Sequence, residues 1–280
     1  MSLSLRETAR KARYALPGHV GRIAGAPDAA AAARGCAKLH RRGLRACVGY
    51  FQADDAPARA ILAANLDIAG QLAGLAGDSY LSVKAPPLHF DAAHLRKIAR
   101  AAAEARLAVL FDAHAPQHAR DTLEAAERLL PDFPGTGCAL PARWRRSAAD
   151  AARLRESSAR IRIVKGEWAD PEALEIDVEG QFFALAAQLA GRPAPVAVAT
   201  HDPILAESAL RLLLDAGTPC ELEQLRGLPS RRCRAVAHRL GVPVRFYLPF
   251  GPGWWPYAID KALARPYLPL WLAKDLLGLK

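Results

Sequence analysis

A parallel α/β barrel of eight strands is the fold that this sequence predicts, and three observations carry the prediction. Short runs rich in β-branched or aromatic residues alternate strictly with Ala/Leu-rich amphipathic stretches of ten or more residues. Eight such runs suit a closed (β/α)8 barrel of the TIM type better than an open sheet. The chain's 280 residues also match the roughly 250 that one such barrel needs.

The first run, 46–51 (ACVGYF), leads through a polar turn into the helical stretch 57–75. Runs 80–84 (YLSVK) and 107–112 (LAVLFD) are followed by helices at 92–105 and 116–130. The middle of the chain repeats the unit, with strands 136–140 (TGCAL) and 161–165 (IRIVK) before helices 147–156 and 176–189. Strands 196–200 (VAVAT) and 220–224 (CELEQ) precede helices 203–216 and 230–240, and 244–248 (VRFYL) is the eighth strand. No GxGxxG turn follows the first strand, which removes an open dinucleotide-binding sheet. No composition shift divides the chain, so residues 1–45 are expected as a helical extension and 46–280 as the barrel. The segment from Trp254 should form a final helix over the barrel mouth.

Hydrophobic residues make up 51% of the chain and charged residues 24%, which excludes disordered, collagen-like and disulfide-scaffold classes. The net charge of +10 reads as a diffuse solvated surface. Its densest cluster, Arg34, Lys38, Arg41, Arg42 and Arg45, is expected to form one basic helical face. No recognition motif accompanies it, so nucleic acid is not an expected partner. Five cysteines without paired spacing suit a reducing, cytoplasmic setting. No apolar run has signal-peptide length or approaches the roughly 20 residues of a spanning helix.

Barrel sites are built where strands end. Those positions hold Gln52, Lys84, Asp112, Arg162 with Lys165, Thr200 with His201, Glu223 with Gln224, and Tyr247. No Asp, Glu or His set has metal-ligand spacing, and His114 reads as the start of a loop. Neither a Ser/His/Asp arrangement, a nucleophile elbow nor a phosphate-binding loop occurs. A mouth of Lys, Arg, His and amide groups suits an anionic or electron-rich cofactor whose charge needs stabilising, such as a reduced flavin.

These residues resemble the proline dehydrogenase family, flavin enzymes on a distorted (β/α)8 barrel. The segment Arg162-Ile-Val-Lys165-Gly166-Glu167-Trp168-Ala-Asp170 is similar to the family's R-L-V-K-G-A-Y-W-D. Ser82-Val-Lys84 and Phe111-Asp112-Ala113 resemble its second-strand and third-strand motifs, and Ala199-Thr200-His201-Asp202 its A-T-H-N. Glu221-Leu-Glu223-Gln224-Leu-Arg-Gly-Leu228 is similar to E-F-Q-M-L-Y-G-M, with Glu223 in place of Gln. The segment from Tyr247 to Pro266 resembles the monofunctional bacterial branch without a gap.

The resemblance implies an FAD-dependent oxidoreductase that moves a hydride to flavin N5 from proline or a related cyclic secondary amine. The product is an imine, pyrroline-5-carboxylate if proline is the substrate, and electrons go to a quinone. It assigns Lys84, Asp112, Arg162, Tyr247, Tyr257, Asp260 and Lys261 to the reacting site. Ala113, Arg162, Lys165, Gly166, Glu167, Trp168, Thr200, His201 and Gln224 are assigned to FAD. The apolar tail 267–280 reads as a helix capping the barrel, with docking at the inner membrane face as its alternative.

Several positions depart from the family. Its paired arginines, which grip the proline carboxylate, are Asp260 and Lys261 here, and a following Glu is Ala264. A guanidinium pair binds a carboxylate through planar bidentate bonds that Lys cannot copy and Asp opposes. Gln52 stands for a Glu, and Pro141 for a Gln that faces the flavin. Two alternatives therefore stand beside proline: an amine lacking a carboxylate, or a barrel that binds flavin or another ligand without turnover.

Overall fold

The computed structural model describes residues 26–264, with side chains as far as residue 259. Eight parallel strands close into a barrel in sequence order. They are β1 (Arg45–Tyr50), β2 (Ser79–Val83), β3 (Ala108–Phe111), β4 (Gly137–Pro141), β5 (Ile161–Val164), β6 (Val196–Ala199), β7 (Cys220–Leu225) and β8 (Val244–Phe250). Around them run α1 (Ala29–His40), α2 (Ala58–Leu72), α3 (Ala92–Glu104), α4 (Ala119–Leu129) and α5 (Ser147–Leu154). The ring continues with α6 (Val178–Leu189), α7 (Pro203–Asp215), α8 (Arg231–Arg239) and α9 (Trp254–Ala264). The seam is the β1–β8 pair, running from Arg45 beside Arg245 to Tyr50 beside Phe250.

All eight expected strands are present, each within two residues of its expected bounds. The helix expected from 176 starts at Val178 because the Asp177 carboxylate accepts from the Glu179 and Gly180 amides, at 3.2 and 3.0 Å. The helix expected from 116 opens instead as a 3-10 turn, Pro116–His118, before α4 begins. One expectation needs correcting. Helix α1 ends at His40, and Arg45 opens β1, where it pairs with Glu221 at 3.0 Å and Asp78 at 3.2 Å. The basic cluster is therefore not one helical face. The tail expectation, 267–280, lies outside the described residues.

Strand alternation sorts side chains to the two sides of the sheet. Leu81 and Val83 pack outward among the helices, whereas Tyr80 joins Cys47, Leu110, Ala139 and Tyr247 inside the barrel. Barrel interiors are usually filled by branched aliphatics, but here ions close the lower end. Arg245, fully buried, donates to Glu221 at 2.8 and 3.0 Å and to Asp78 at 2.8 Å. Arg160 adds a bond to Glu221 at 2.8 Å. This floor at the strands' N-terminal ends leaves the C-terminal ends to form the cavity. Among the described residues, no helix is long and apolar enough to cross a membrane.

Candidate active site

A cavity of about 800 Å³ opens at the C-terminal ends of the strands. Its wall is built by the period-two rule. Tyr80, Ser82 and Lys84 follow one another on the inner side of β2 and just beyond it. Asp112 follows β3 directly, Arg162 stands on β5, Glu223 on β7 and Tyr247 on β8.

Arg162 joins these strands. One terminal nitrogen donates to Glu223 Oε1 at 2.7 Å, and the other donates to Ser82 Oγ at 2.9 Å and to the Asp112 carboxylate. The second oxygen of Glu223 accepts from the Tyr80 hydroxyl. Asp112 also accepts from the Tyr247 hydroxyl at 3.1 Å and lies 3.5 Å from Lys84 Nζ. Lys84 in turn donates to the Tyr50 carbonyl at 3.1 Å and sits 3.8 Å from the centroid of the Phe51 ring.

Burial and charge act in opposite directions on this cluster. Burial alone would weaken Arg162's hold on its proton, but Glu223 and Asp112 outweigh it and push Arg162 well above the usual guanidinium range. Burial would raise Asp112, yet Arg162 and then Lys84 hold it below the usual carboxylate range. Lys84 is lowered by burial, with Asp112 offsetting part of the effect. Burial and the neighbouring Asp112 drive the Tyr247 hydroxyl well up, so it remains a donor.

Opposite this cluster the wall is braced by loops. His201 Nδ1 bonds the Pro229 carbonyl at 2.7 Å, and Nε2 accepts from the Leu225 amide at 3.1 Å. That pair of bonds requires the proton on Nδ1. The Thr200 hydroxyl accepts from the Asp202 amide at 3.1 Å, and Asp202 caps α7. The Gln224 amide nitrogen donates to the Thr200 carbonyl at 3.4 Å. The loop after β5 turns at Gly166, whose φ is +90° and whose absent Cβ would lie 2.8 Å from Pro141 Cβ. Past it, Glu167 accepts from the Tyr257 hydroxyl of α9 at 3.0 Å, tying that helix to the loop. Trp168 stacks on His114, with centroids 5.6 Å apart and planes 26° apart. Phe51 packs against Tyr247, Trp254 and Tyr257.

No family model matches the chain. It is 26% identical over 258 residues to proline dehydrogenase 1 of Bacillus subtilis subsp. natto, covering 86% of this chain and 84% of that protein. The proline dehydrogenase 1 of strain 168 gives 25% over the same length. Over most of its length the chain is thus similar to curated proline dehydrogenases, at the distance a divergent relative would show. A proline dehydrogenase of Deinococcus radiodurans is 30% identical over 145 residues, which is 49% of this chain and 46% of that one. Among solved structures, proline utilization A from Bdellovibrio bacteriovorus, inactivated by N-propargylglycine, superposes with a TM-score of 0.70 at 18% identity. That match covers 84% of this chain, which spans 31% of the larger protein, and it bears on the fold.

Of the positions that the proline dehydrogenase resemblance singles out, most line the cavity. Lys84, Asp112, Ala113, Arg162 and Tyr247 do, as do Gly166, Glu167, Trp168, Thr200, His201, Gln224 and Tyr257. Lys165 is placed elsewhere. It turns outward to Glu179 at 2.6 Å and to Asp202 at 3.9 Å and is not among the lining residues. Asp260 and Lys261 fall on α9, and their side chains lie outside the described part of the chain. Sequence reasoning gave no role to Tyr80 or Ser82, and it placed Glu223 at the barrel mouth without assigning it one. The one available signal was the alternation Tyr80, Ser82, Lys84, which puts all three on the face of the assigned lysine.

Proposed function

We propose that this chain is an FAD-dependent oxidoreductase that oxidises proline or a related cyclic secondary amine to the imine, with a quinone as final electron acceptor. The observation that carries the reading is a matched pair of buried polar atoms at the cavity wall. Arg162 Nε is a donor and Gln224 Oε1 an acceptor, and neither has a partner among the described residues. Buried polar atoms of this kind ordinarily have one. A flavin ring offers both acceptors and an N–H donor, so the residues present fit it. Gly166, Glu167, Trp168, Thr200 and Gln224 are the proposed contacts alongside Arg162, with His201 bracing the wall. Lys165, turned outward, is proposed as a contact that must swing inward to reach the cofactor. Bound FAD would supply a two-electron acceptor at N5.

The chain's own side chains do the positioning. Phe51, Tyr247 and Tyr257 offer an aromatic wall for a small saturated ring. Asp112, kept ionised by Arg162 and Lys84, serves as a counter-charge and not as a base. Lys84, shifted toward losing its proton, is the proposed group that orders the substrate end. Asp260 and Lys261 are proposed to replace the family's carboxylate clamp.

A second substrate reading has its own observation. Described lining residues include Asp54, Asp55, Asp112, Glu167 and Glu223 against two cations, Lys84 and Arg162. An acidic mouth in a chain of net charge +10 favours a cationic amine without a carboxylate. Peripheral contact with an anionic membrane is proposed as the route to a quinone, and flotation with anionic liposomes at low salt tests it.

Purification and FAD titration test the cofactor reading. The expected protein is yellow or becomes so on adding FAD, and Gln224→Leu with Arg162→Met weakens that binding at least tenfold. A wild-type protein that takes up no FAD sinks the reading.

A further inference from the structure

Glu223 is a buried carboxylate whose charge Arg162 does not need. Its side chain is 2% exposed, with one oxygen held by Arg162 at 2.7 Å and the other by the Tyr80 hydroxyl. Removing a carboxylate from water this completely is costly unless it is paired. Arg162 already has Asp112 as an ion partner and Ser82 as a hydrogen-bond partner. Lys84, Arg162, Asp112 and Glu223 together sum to zero charge. Without Glu223 the same cluster would carry one net positive charge at the cavity wall.

The bonds also fix the guanidinium. One terminal nitrogen is tied to β7 and the other to β2 and to the end of β3, so the plane cannot rotate. The donor left over is Nε, buried and without a partner among the described residues.

From this arrangement we infer that Glu223 is a positioning residue that locks Arg162 and cancels the positive charge a reduced, anionic cofactor would otherwise meet. The inference rests on the cofactor reading above. Its consequence is a bound FAD whose reduction potential is held low by a carboxylate whose two oxygens are engaged by Arg162 and Tyr80. Tyr80 keeps that carboxylate in place and leaves its charge intact.

The test is a spectroelectrochemical titration of the FAD-loaded full chain, run beside sulfite binding, since sulfite adds reversibly to flavins and leaves them anionic. Glu223→Gln removes the charge and keeps the shape. It should stabilise reduced over oxidised FAD at least tenfold, an upward shift of about 30 mV or more for a two-electron couple. Sulfite should bind at least tenfold more tightly. Glu223→Asp, which retains the charge, should return both readings toward the wild type. Tyr80→Phe, which also retains it, should leave the potential at or below the wild-type value.

An unshifted potential in Glu223→Gln, or equal rises in Glu223→Gln and Tyr80→Phe, overturns the inference. If Glu223→Gln does not fold, Tyr80→Phe decides alone: a value at or below the wild type supports the charge role, and a rise rejects it. A wild-type chain that binds no FAD removes the cofactor reading together with this inference. An FAD-loaded Glu223→Gln of unchanged potential removes the inference alone.

Discussion

The Cβ that Gly49 lacks would lie 1.8 Å from the Tyr247 hydroxyl oxygen and 2.5 Å from the ring carbon that bears it. The phenol of β8 thus occupies the space of a missing side chain on β1, and from there it donates to Asp112 at 3.1 Å. Gly49→Ala should displace the ring, break that bond and destabilise the fold by about 1–3 kcal/mol, as overpacking does. Urea denaturation measures it. In a Tyr247→Leu background the same alanine should cost less than half as much, and equal costs would show that the two residues do not compete for space.

Arg162 is the shared partner of the buried Glu223 and the partly buried Asp112. Arg162→Met strips Glu223 of its cation and leaves Asp112 with Lys84 alone, and breaking a buried pair in this way costs about 3–5 kcal/mol. Adding Glu223→Gln to Arg162→Met should recover at least about 1 kcal/mol, because one stranded charge is gone. Denaturation midpoints of the two variants check this, and a double variant no more stable than Arg162→Met contradicts it.

Acid should unfold the barrel through its arginine-paired carboxylates. Asp112, Glu221 and Asp78 are all held below their ordinary range, in each case by arginines that outweigh the effect of burial. A carboxylate depressed in the folded state binds protons more weakly than in the unfolded chain. Its contribution is therefore complete above the unfolded value, about 4, and is lost as pH falls through the folded value. Stability should be flat from pH 7 to about 5 and fall below about 4. Asp112→Asn should flatten that acid limb, and an unchanged slope in its melting profile would remove Asp112 from the account.

Gly166 combines a φ of +90° with a close approach to Pro141. Gly166→Ala should cost about 1–3 kcal/mol of local strain and move the loop that carries Glu167 and Trp168. We expect at least a tenfold loss of FAD affinity by titration, and unchanged affinity would place the loop outside the cofactor's contacts.

The barrel was legible because its two periods differ so clearly. Runs such as VAVA at β6 and the Ala-rich stretches around them leave little ambiguity, and strand ends in a barrel point to one mouth. Lys84, Asp112 and Arg162 could be selected on that ground alone. What stayed hidden depends on partners far apart in sequence. Tyr80 meets Glu223 across 143 positions, and no local pattern shows that contact. Lys165 closes the β5 run, yet its side chain lies with Glu179 and Asp202, partners that the run itself does not show. The basic cluster failed for a similar reason, since the chain leaves α1 before Arg45, which lies where Glu221 and Asp78 can pair with it.

A flavin-dependent amine oxidoreductase should lose its flavin colour when its FAD-loaded chain meets substrate without oxygen. The panel is proline, pyrrolidine and other cyclic amines with and without a carboxylate. The yellow absorbance should be lost with at least one cyclic secondary amine. Bleaching by pyrrolidine alone would assign the acidic mouth to a carboxylate-free substrate, and bleaching by proline would reject that narrower reading. Bound FAD that no amine on the panel reduces would contradict the account.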